Sequence, residues 1–298
     1  MDARLKELDL LARVDREGSI QIGPLHGQDR DLVAFLASER YVNDLQINWE
    51  YKGGRTGGMP GETELERLLH QERIDGLSKI LGGHSVTLRI THAGRVRMAE
   101  LSWALRSERI RDRFGILWDG RHFHRDLRIQ LLDASADLPV FVAYLDLNGM
   151  GTVNDTFGHD AGNVVLRAYF EAITSIITGR GEAYRVGGDE VCIIFHSPRA
   201  ESVNMIRQIC LLFMRERLRY EDKDLGKLSI AIGAVISSDV GVEPEQLEKV
   251  AEKSMYRAKQ RTDGMDSRPS SLALDGEDTI ELFPTNASGD PQIDSRKS

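Results

Sequence analysis

The segment Tyr184-Arg185-Val186-Gly187-Gly188-Asp189-Glu190-Val191-Cys192-Ile193-Ile194-Phe195 decides how the second half of this chain is read. Its two short apolar runs, 183–186 and 191–195, flank a four-residue break, the pattern of a tight hairpin. Paired glycines permit sharp backbone geometry and close approach of a phosphate. The carboxylates that follow, Asp189 and Glu190, are hard oxygen donors for a divalent cation. Upstream, Phe141 to Leu147 is an almost continuous apolar run broken by Asp146, a second strand end bearing a carboxylate. If the two strands are neighbours, carboxylates converge from two strand ends, as Mg2+-dependent phosphoryl or nucleotidyl transfer requires. The same letters also allow a plain acidic turn with Asp146 as a helix N-cap.

Working outward, apolar periodicity predicts helices over 161–177, 202–218 and 244–260 and a strand over 228–236. The order strand–helix–strand–turn–strand–helix–strand predicts an α/β (α+β) fold. Its mixed sheet, with helices packed on it, is of the ferredoxin-like or polymerase-palm kind.

The match to a known family extends well beyond the hairpin. DRFGILWDGRHF (Asp112 to Phe123), YLDLNGMGTVNDTFGHDAGNVVL (Tyr144 to Leu166), YRVGGDEVCIIF, LSIAIGAVI and KSMYRAKQ follow in order. Together they resemble the GGDEF domain of the diguanylate cyclase family over about 150 residues. The resemblance implies Asp146 and Asp189 as metal ligands, with the Leu147 carbonyl assisting. It implies Glu190 as a further ligand or as the group that helps deprotonate a 3′-hydroxyl. Asn154 would hydrogen-bond the base, Gly187 and Gly188 would admit the triphosphate, and Lys259 would contact phosphates. The implied cofactor is Mg2+ (or Mn2+) and the implied partners are GTP and/or ATP. Two copies would face each other, as a homodimer or higher homo-oligomer, to make a cyclic dinucleotide.

Departures from the family pattern are informative. Gly151 stands where the family has a phosphate-binding lysine, and Asp263 where it usually has an arginine. Val191 replaces the last residue of the signature. Residues 178–181 read Thr-Gly-Arg-Gly, so the family's product-inhibition motif R-x-x-D is expected to be absent. Asn163 replaces an aspartate that accepts from guanine. An amide offers one acceptor and one NH2 donor, which suits an adenine edge better than guanine's two donors. The expected enzyme makes cyclic di-GMP or an adenine-containing variant. The alternative is a catalytically degenerate, nucleotide-binding regulator of the amino-terminal region, favoured by the loss of charge at Gly151.

Three regions are expected: 1–104, a regulatory or dimerisation domain; 105–263, the cyclase domain; and 264–298, an acidic tail. In the first, helical spacing is read over 2–14, 31–43 and 62–81, with a glycine-rich loop between 53 and 60. A strand over 86–90 is followed by a helix that Thr91 caps. VTLRITHAGRVRMAEL (Val86 to Leu101) is similar to the last strand and helix of winged-helix domains, so DNA is considered as a partner. With 16 basic and 17 acidic residues in 1–110, however, there is no basic footprint. The tail holds 7 acidic and 3 basic residues, half of the chain's net charge of −8. It is expected to be mostly disordered, with Thr279 to Phe283 able to dock as a strand.

Across 298 residues, 41% are hydrophobic and 29% charged, enough to bury cores. No apolar stretch approaches the roughly 18 residues that span a bilayer, and there is no secretory signal at the start. Cys192 and Cys210 have no metal or redox spacing. A cytoplasmic protein without membrane association is the expectation. His122 and His124 are read as solvated, His159 as fixing its loop and Cys192 as inert core.

Overall fold

The computed structural model describes residues 2–48, 81, 83, 85–216, 218–238, 242–263, 269–277 and 280–283. They belong to two compact units, residues 1–108 and 109–298. The first opens with α1 (Ala3–Glu17), whose amino terminus is capped by Asp2 accepting from Arg4 N at 2.9 Å. Leu5, Leu8, Leu11 and Val14, three residues apart, are its buried face. There follow β1 (Ile20–Ile22), α2 (Gly27–Ser38), β2 (Val42–Asn48), β3 (Ser85–Ile90) and α3 (His92–Ser107). The strands form an antiparallel sheet in the order β1–β3–β2. Thr91 Oγ1 accepts from Gly94 N at 3.1 Å and starts α3, as its sequence predicts.

The helix expected over 31–43 ends five residues early. Arg40 adopts φ +58°, and Tyr41 N donates back to Leu36 O at 2.9 Å, which closes the helix. Val42 and Asn43 already belong to β2. The glycine-rich loop and the helix expected over 62–81 lie outside the described residues, apart from the buried Leu81.

In the second unit, β4 (Trp118–Asp119) and a 3-10 turn precede α4 (Phe123–Leu132). Then come β5 (Val140–Asn148), α5 (Met150–Phe157), α6 (His159–Ile177), β6 (Gly181–Arg185), β7 (Val191–Phe195) and α7 (Arg199–Arg215). After a small hairpin of β8 (Arg219–Tyr220) and β9 (Lys223–Asp224) come β10 (Ser229–Ser237), α8 (Pro244–Arg261), β11 (Ser270–Leu274) and β12 (Ile280–Phe283). Seven strands make one mixed sheet, ordered β12–β11–β10–β5–β7–β6–β4. The mixed α/β architecture expected from the sequence is the one observed.

All nine residues of β5 are buried, because helices cover both faces of the sheet. Alternate residues point to opposite faces. Phe141, Ala143, Leu145 and Leu147 pack with Tyr169 and Ile173 of α6 and with Ile209 and Phe213 of α7. Val142 and Tyr144 pack with Phe123 and Leu127 of α4 and with Ala251 and Met255 of α8. Helix α8 sits directly on β10 at Gly233, where a Cβ would overlap Ala251 O and Met255 N. Among the described residues, no helix is long and apolar enough to cross a membrane.

The described part of the tail contributes two strands: β12 lies in the segment expected to dock as a strand, whereas β11 was not expected. Strand β11 runs parallel to β10, and β12 pairs antiparallel with β11. The Ser-rich composition concealed this. Ser270 Oγ accepts from Ile230 N at 2.9 Å, and Ser271 Oγ donates to Ala258 O at 3.0 Å, so both small polar side chains are buried and paired. Leu272 and Phe283 join the main core. The physical gain is cover for β10, an apolar strand that would otherwise present an open edge. Leu272→Ala should therefore cost about 2–5 kcal/mol in urea unfolding. An unpacked tail would show no change.

Candidate active site

The hairpin between β6 and β7 is the pivot of the site. Pairing ends at Arg185↔Val191, and Val186 N and Gly187 N both donate to Glu190 O, at 3.1 and 3.3 Å. The Glu190 carboxylate fills the space that a Cβ on Gly187 would occupy. Gly188 has no neighbour within 4 Å of such a position and leaves the turn's outer side open. Arg185, which the sequence reading did not single out, braces the turn by donating to Gly187 O at 3.2 Å and to Gly188 O at 2.6 Å. Its guanidinium also lies 3.6 Å from Asp112 and over the rings of Phe114 and Phe170. An arginine two residues before a glycine pair was the only signal of this role.

The β5–β7 ladder ends at Leu145↔Val191, which leaves Asp146 and Glu190 at the same strand ends. Alternation puts Asp146 on the α8 side of the sheet, and Lys259 of α8 donates to its Oδ1 at 2.6 Å. Asp146 is only 8% exposed, so this cation is what balances it. Burial, then the charge of Asp146, pushes the Asp189 carboxyl above the usual carboxylate range. Glu190 is pushed up too, by burial foremost and by Asp146 and Asp189, against a hydrogen bond from Tyr144. Leu147 lies opposite Ile230 of β10 with its side chain in the main core. On the α6 side, Tyr169 is fully buried, and its hydroxyl has no hydrogen-bond partner among the described residues.

The other face of the hairpin borders a cleft of about 320 Å³. Asn154, His159 and Asn163 line it together with Gly188 and Asp189 of the turn. Gly162 lets α5 and α6 close up, because a Cβ there would overlap Asn154 Oδ1. Arg113 donates to Asn163 Oδ1 at 2.8 Å, which spends an acceptor of that amide inside the molecule. Arg113 and Arg185 both line the cleft, and their mutual repulsion adds to burial in lowering the Arg185 pKa. Gly151 also lines the cleft, with open space where a side chain would project.

The residues singled out from the sequence thus divide into two groups. Asn154, Asn163, Gly188 and Asp189 share the cleft, whereas Asp146, Glu190 and Lys259 gather on the α8 side, with Gly187 between. Lys259, expected to meet phosphates, is held by Asp146. Among the described residues, no group of three or more His, Cys, Asp and Glu side chains is assembled to hold a metal. His122 and His124 are not simply solvated. His122 Nε2 accepts from Ile110 N at 3.1 Å, and His124 Nε2 lies 2.6 Å from Glu248. Cys192 is fully buried, and burial raises its thiol pKa well above the ordinary value.

Raised pKa values at Asp189 and Glu190 mean that, in the metal-free protein, these two groups bind more protons when folded than when unfolded. Their contribution to stability therefore falls as pH rises from about 4 through the folded pKa values. Asp189→Asn should raise the melting temperature in EDTA at neutral pH and leave it unchanged below about pH 3.5. Added Mg2+ should stabilise wild type but not the variant. A variant that melts lower at both pH values would contradict the assignment.

Residues 110–265 match the family described as "Diguanylate cyclase, GGDEF domain". The signaling protein YkoW of Bacillus subtilis is 31% identical over 144 residues, covering 47% of this chain and 18% of that protein. Diguanylate cyclase DgcS of Shewanella oneidensis is 28% identical over 120 residues, covering 40% of this chain and 39% of that protein. The chain thus spans well under half the length of these curated relatives. The coiled coil and GGDEF domain of DgcB from Caulobacter crescentus, in complex with c-di-GMP, superposes with TM-score 0.50 at 19% identity. That structural match covers 70% of this chain and 99% of the other, and at this identity it speaks for fold alone. These matches lend no support to the winged-helix resemblance of the first region, which rested on one strand–helix pair.

Proposed function

Because the chain belongs to the GGDEF diguanylate cyclase family, we propose that it joins two nucleoside triphosphates into a cyclic dinucleotide and releases pyrophosphate. The observation that supports this reading best is Asp146 and Glu190 at adjoining strand ends, with Asp189 bordering a cleft that holds Asn154 and Asn163. The reaction is attack of a 3′-hydroxyl on an α-phosphorus, carried out twice between two copies.

Asp146, Asp189, the Leu147 carbonyl and Glu190 are all oxygen donors, which fits Mg2+ or Mn2+. Bound there, the ion would neutralise triphosphate charge and favour ionisation of the attacking hydroxyl. Glu190, its pKa pushed up, is the better proton acceptor for that hydroxyl near neutral pH. Asn154 and Asn163 would hold the purine, and Gly187 and Gly188 would leave room for phosphates. Arg113 and Arg185 would supply positive charge in the cleft where Gly151 supplies none. Lys259 neutralises Asp146 and would share its charge with the triphosphate.

The amide of Asn163 is held with its oxygen toward Arg113, which leaves its NH2 to meet the base. A donor at that point matches the N1 acceptor of adenine and opposes the N1–H of guanine. We therefore include ATP, alone or with GTP, among the substrates. The missing charge at Gly151 favours the second reading, a nucleotide-binding regulator without turnover.

Purified protein with Mg2+ and each triphosphate, singly and mixed, is the test. Wild type should form cyclic dinucleotide, and Asp189→Ala should lower the rate by more than about 10²-fold. Equal and negligible product from both, with nucleotide still bound, would leave the regulator. Asn163→Asp should shift the product from adenine toward guanine. Cyclic di-GMP alone from wild type in mixed nucleotides would end the adenine assignment.

A further inference from the structure

Beside the cleft lies a second cavity of about 310 Å³, lined by Phe114, Asn163, Val164, Arg167, Ala168 and Glu171. All but Phe114 belong to α6, at spacings that put them on one face of the helix. Phe114 is fixed independently. Asp112 Oδ1 accepts from Ile116 N at 3.1 Å and from Leu117 N at 3.2 Å, which closes the turn that carries the ring. Phe170 meets that ring edge-on, with centroids 5.7 Å apart. Asn163 lines both cavities, so its hydrogen bond from Arg113 marks the boundary between them.

The floor of this cavity is apolar and its rim is charged. Phe114, Val164 and Ala168 offer the apolar surface, although Val164 is exposed on the helix. Arg167 and Glu171, one helical turn apart, would ordinarily pair with each other. They do not. The Arg167 guanidinium lies 5.5 Å from the centre of the Phe114 ring, and neither side chain has an ion pair or hydrogen bond among the described residues. A fork of N–H donors and a carboxylate acceptor thus border one apolar slot with their hydrogen-bonding capacity unspent.

That chemistry selects a flat ring with acceptors on one edge and donors on the next. Guanine presents O6 and N7, which suit an arginine fork, and beside them N1–H and the 2-amino group, which suit a carboxylate. Adenine in the same pose would set its 6-amino donor against the arginine and its N1 acceptor against the carboxylate. Arg113, Arg167 and Arg185, at 4.8, 5.5 and 5.1 Å from the Phe114 ring, add positive charge for an attached phosphate.

We propose that this cavity is a second nucleotide site, specific for a guanine ring, with Arg167 donating to O6 and N7 and Glu171 accepting from N1–H and the 2-amino group. It is separate from the cleft, where the Asn163 amide is turned to favour adenine, and from residues 178–181, which follow the end of α6. The assignment does not rest on the cyclase reading.

Isothermal titration calorimetry on the full chain in EDTA tests it, with guanosine and adenosine 5′-monophosphates as probes, neither of which can release pyrophosphate. Wild type should bind the guanosine probe below about 1 mM. Arg167→Ala and Glu171→Gln should each weaken that binding at least about tenfold, with unchanged circular dichroism spectra and unchanged affinity for the adenosine probe. Cyclic di-GMP, titrated alike, distinguishes the source of the ring. Binding that both variants weaken extends the site to a dinucleotide, and binding that they leave alone restricts it to mononucleotides. No guanosine binding by wild type, an affinity that neither variant lowers, or an equal loss for the adenosine probe would overturn the proposal. Guanosine binding that depends on Arg167 and Glu171, in a protein that forms no product from triphosphates and Mg2+, would uphold this site and count against the cyclase reading. Product formation without such binding would overturn this site alone.

Discussion

Three carboxylates near one pair of strand ends repel one another, and that repulsion organises the site. In water the cost would be small, but burial lowers the effective dielectric and strengthens each interaction severalfold. One cation, Lys259, balances the most buried of the three, Asp146. The remaining imbalance appears as raised pKa values at Asp189 and Glu190. Keeping Lys259 in place falls to elements far along the chain. Helix α8 reaches Asp146 because Gly233 lets it rest on β10. Its last turn is tied down by Ser271 donating to Ala258 O and by Arg257 donating to Leu274 O at 2.8 Å. Strand β11 is thus two contacts from the chemistry, although nothing in its composition advertises it.

The pleat of the sheet divides the work. Residues of even number on β5 and β7 face α8, so Asp146, Tyr144 and Cys192 stand on that side, with Glu190 beside them. The residues suited to hold a base, Asn154 and Asn163, stand on helices covering the other side. Only the turn belongs to both. Gly187 accepts the Glu190 carboxylate against its backbone, and Gly188 leaves the outer surface bare. A side chain at Gly187 would drive the carboxylate away from its neighbours without unfolding the sheet.

Strong local signals were legible in the chain. The apolar run of β5, the paired runs about Gly187-Gly188 and the periodic helices α6, α7 and α8 each satisfy their own propensity and the final fold together. The carboxylates and the cleft asparagines were legible for the same reason: short motifs on those elements carry them. What escaped detection depends on distant partners. Ser270 and Ser271 look like linker residues until Ile230 N and Ala258 O are known to need them. Val42 keeps helical spacing from Phe35, yet the backbone reverses at Arg40 and sends it into β2. Arg113 and Arg185 are ordinary surface-type letters until Asn163 and the turn carbonyls are found beside them.

These two arginines bear on the chain's net charge of −8, which ought to repel an anionic substrate. Charge far from a site is screened beyond a Debye length of about 8 Å at physiological salt, so the sum matters less than the cleft itself. There two guanidiniums stand together, and Arg113 is close enough to disfavour the charge of Arg185. Two guanidiniums in mutual repulsion gain from an anion between or beside them, whereas a single lysine at position 151 would reach phosphates as a point charge. Arg185 is fixed by turn carbonyls and Arg113 by Asn163, so neither must be ordered when the substrate arrives. Pre-placed charge lowers the entropic cost of binding. On the proposed reading, two rigid cations would serve where a lysine at residue 151 would be mobile, and one of them also orients the amide that would meet the base.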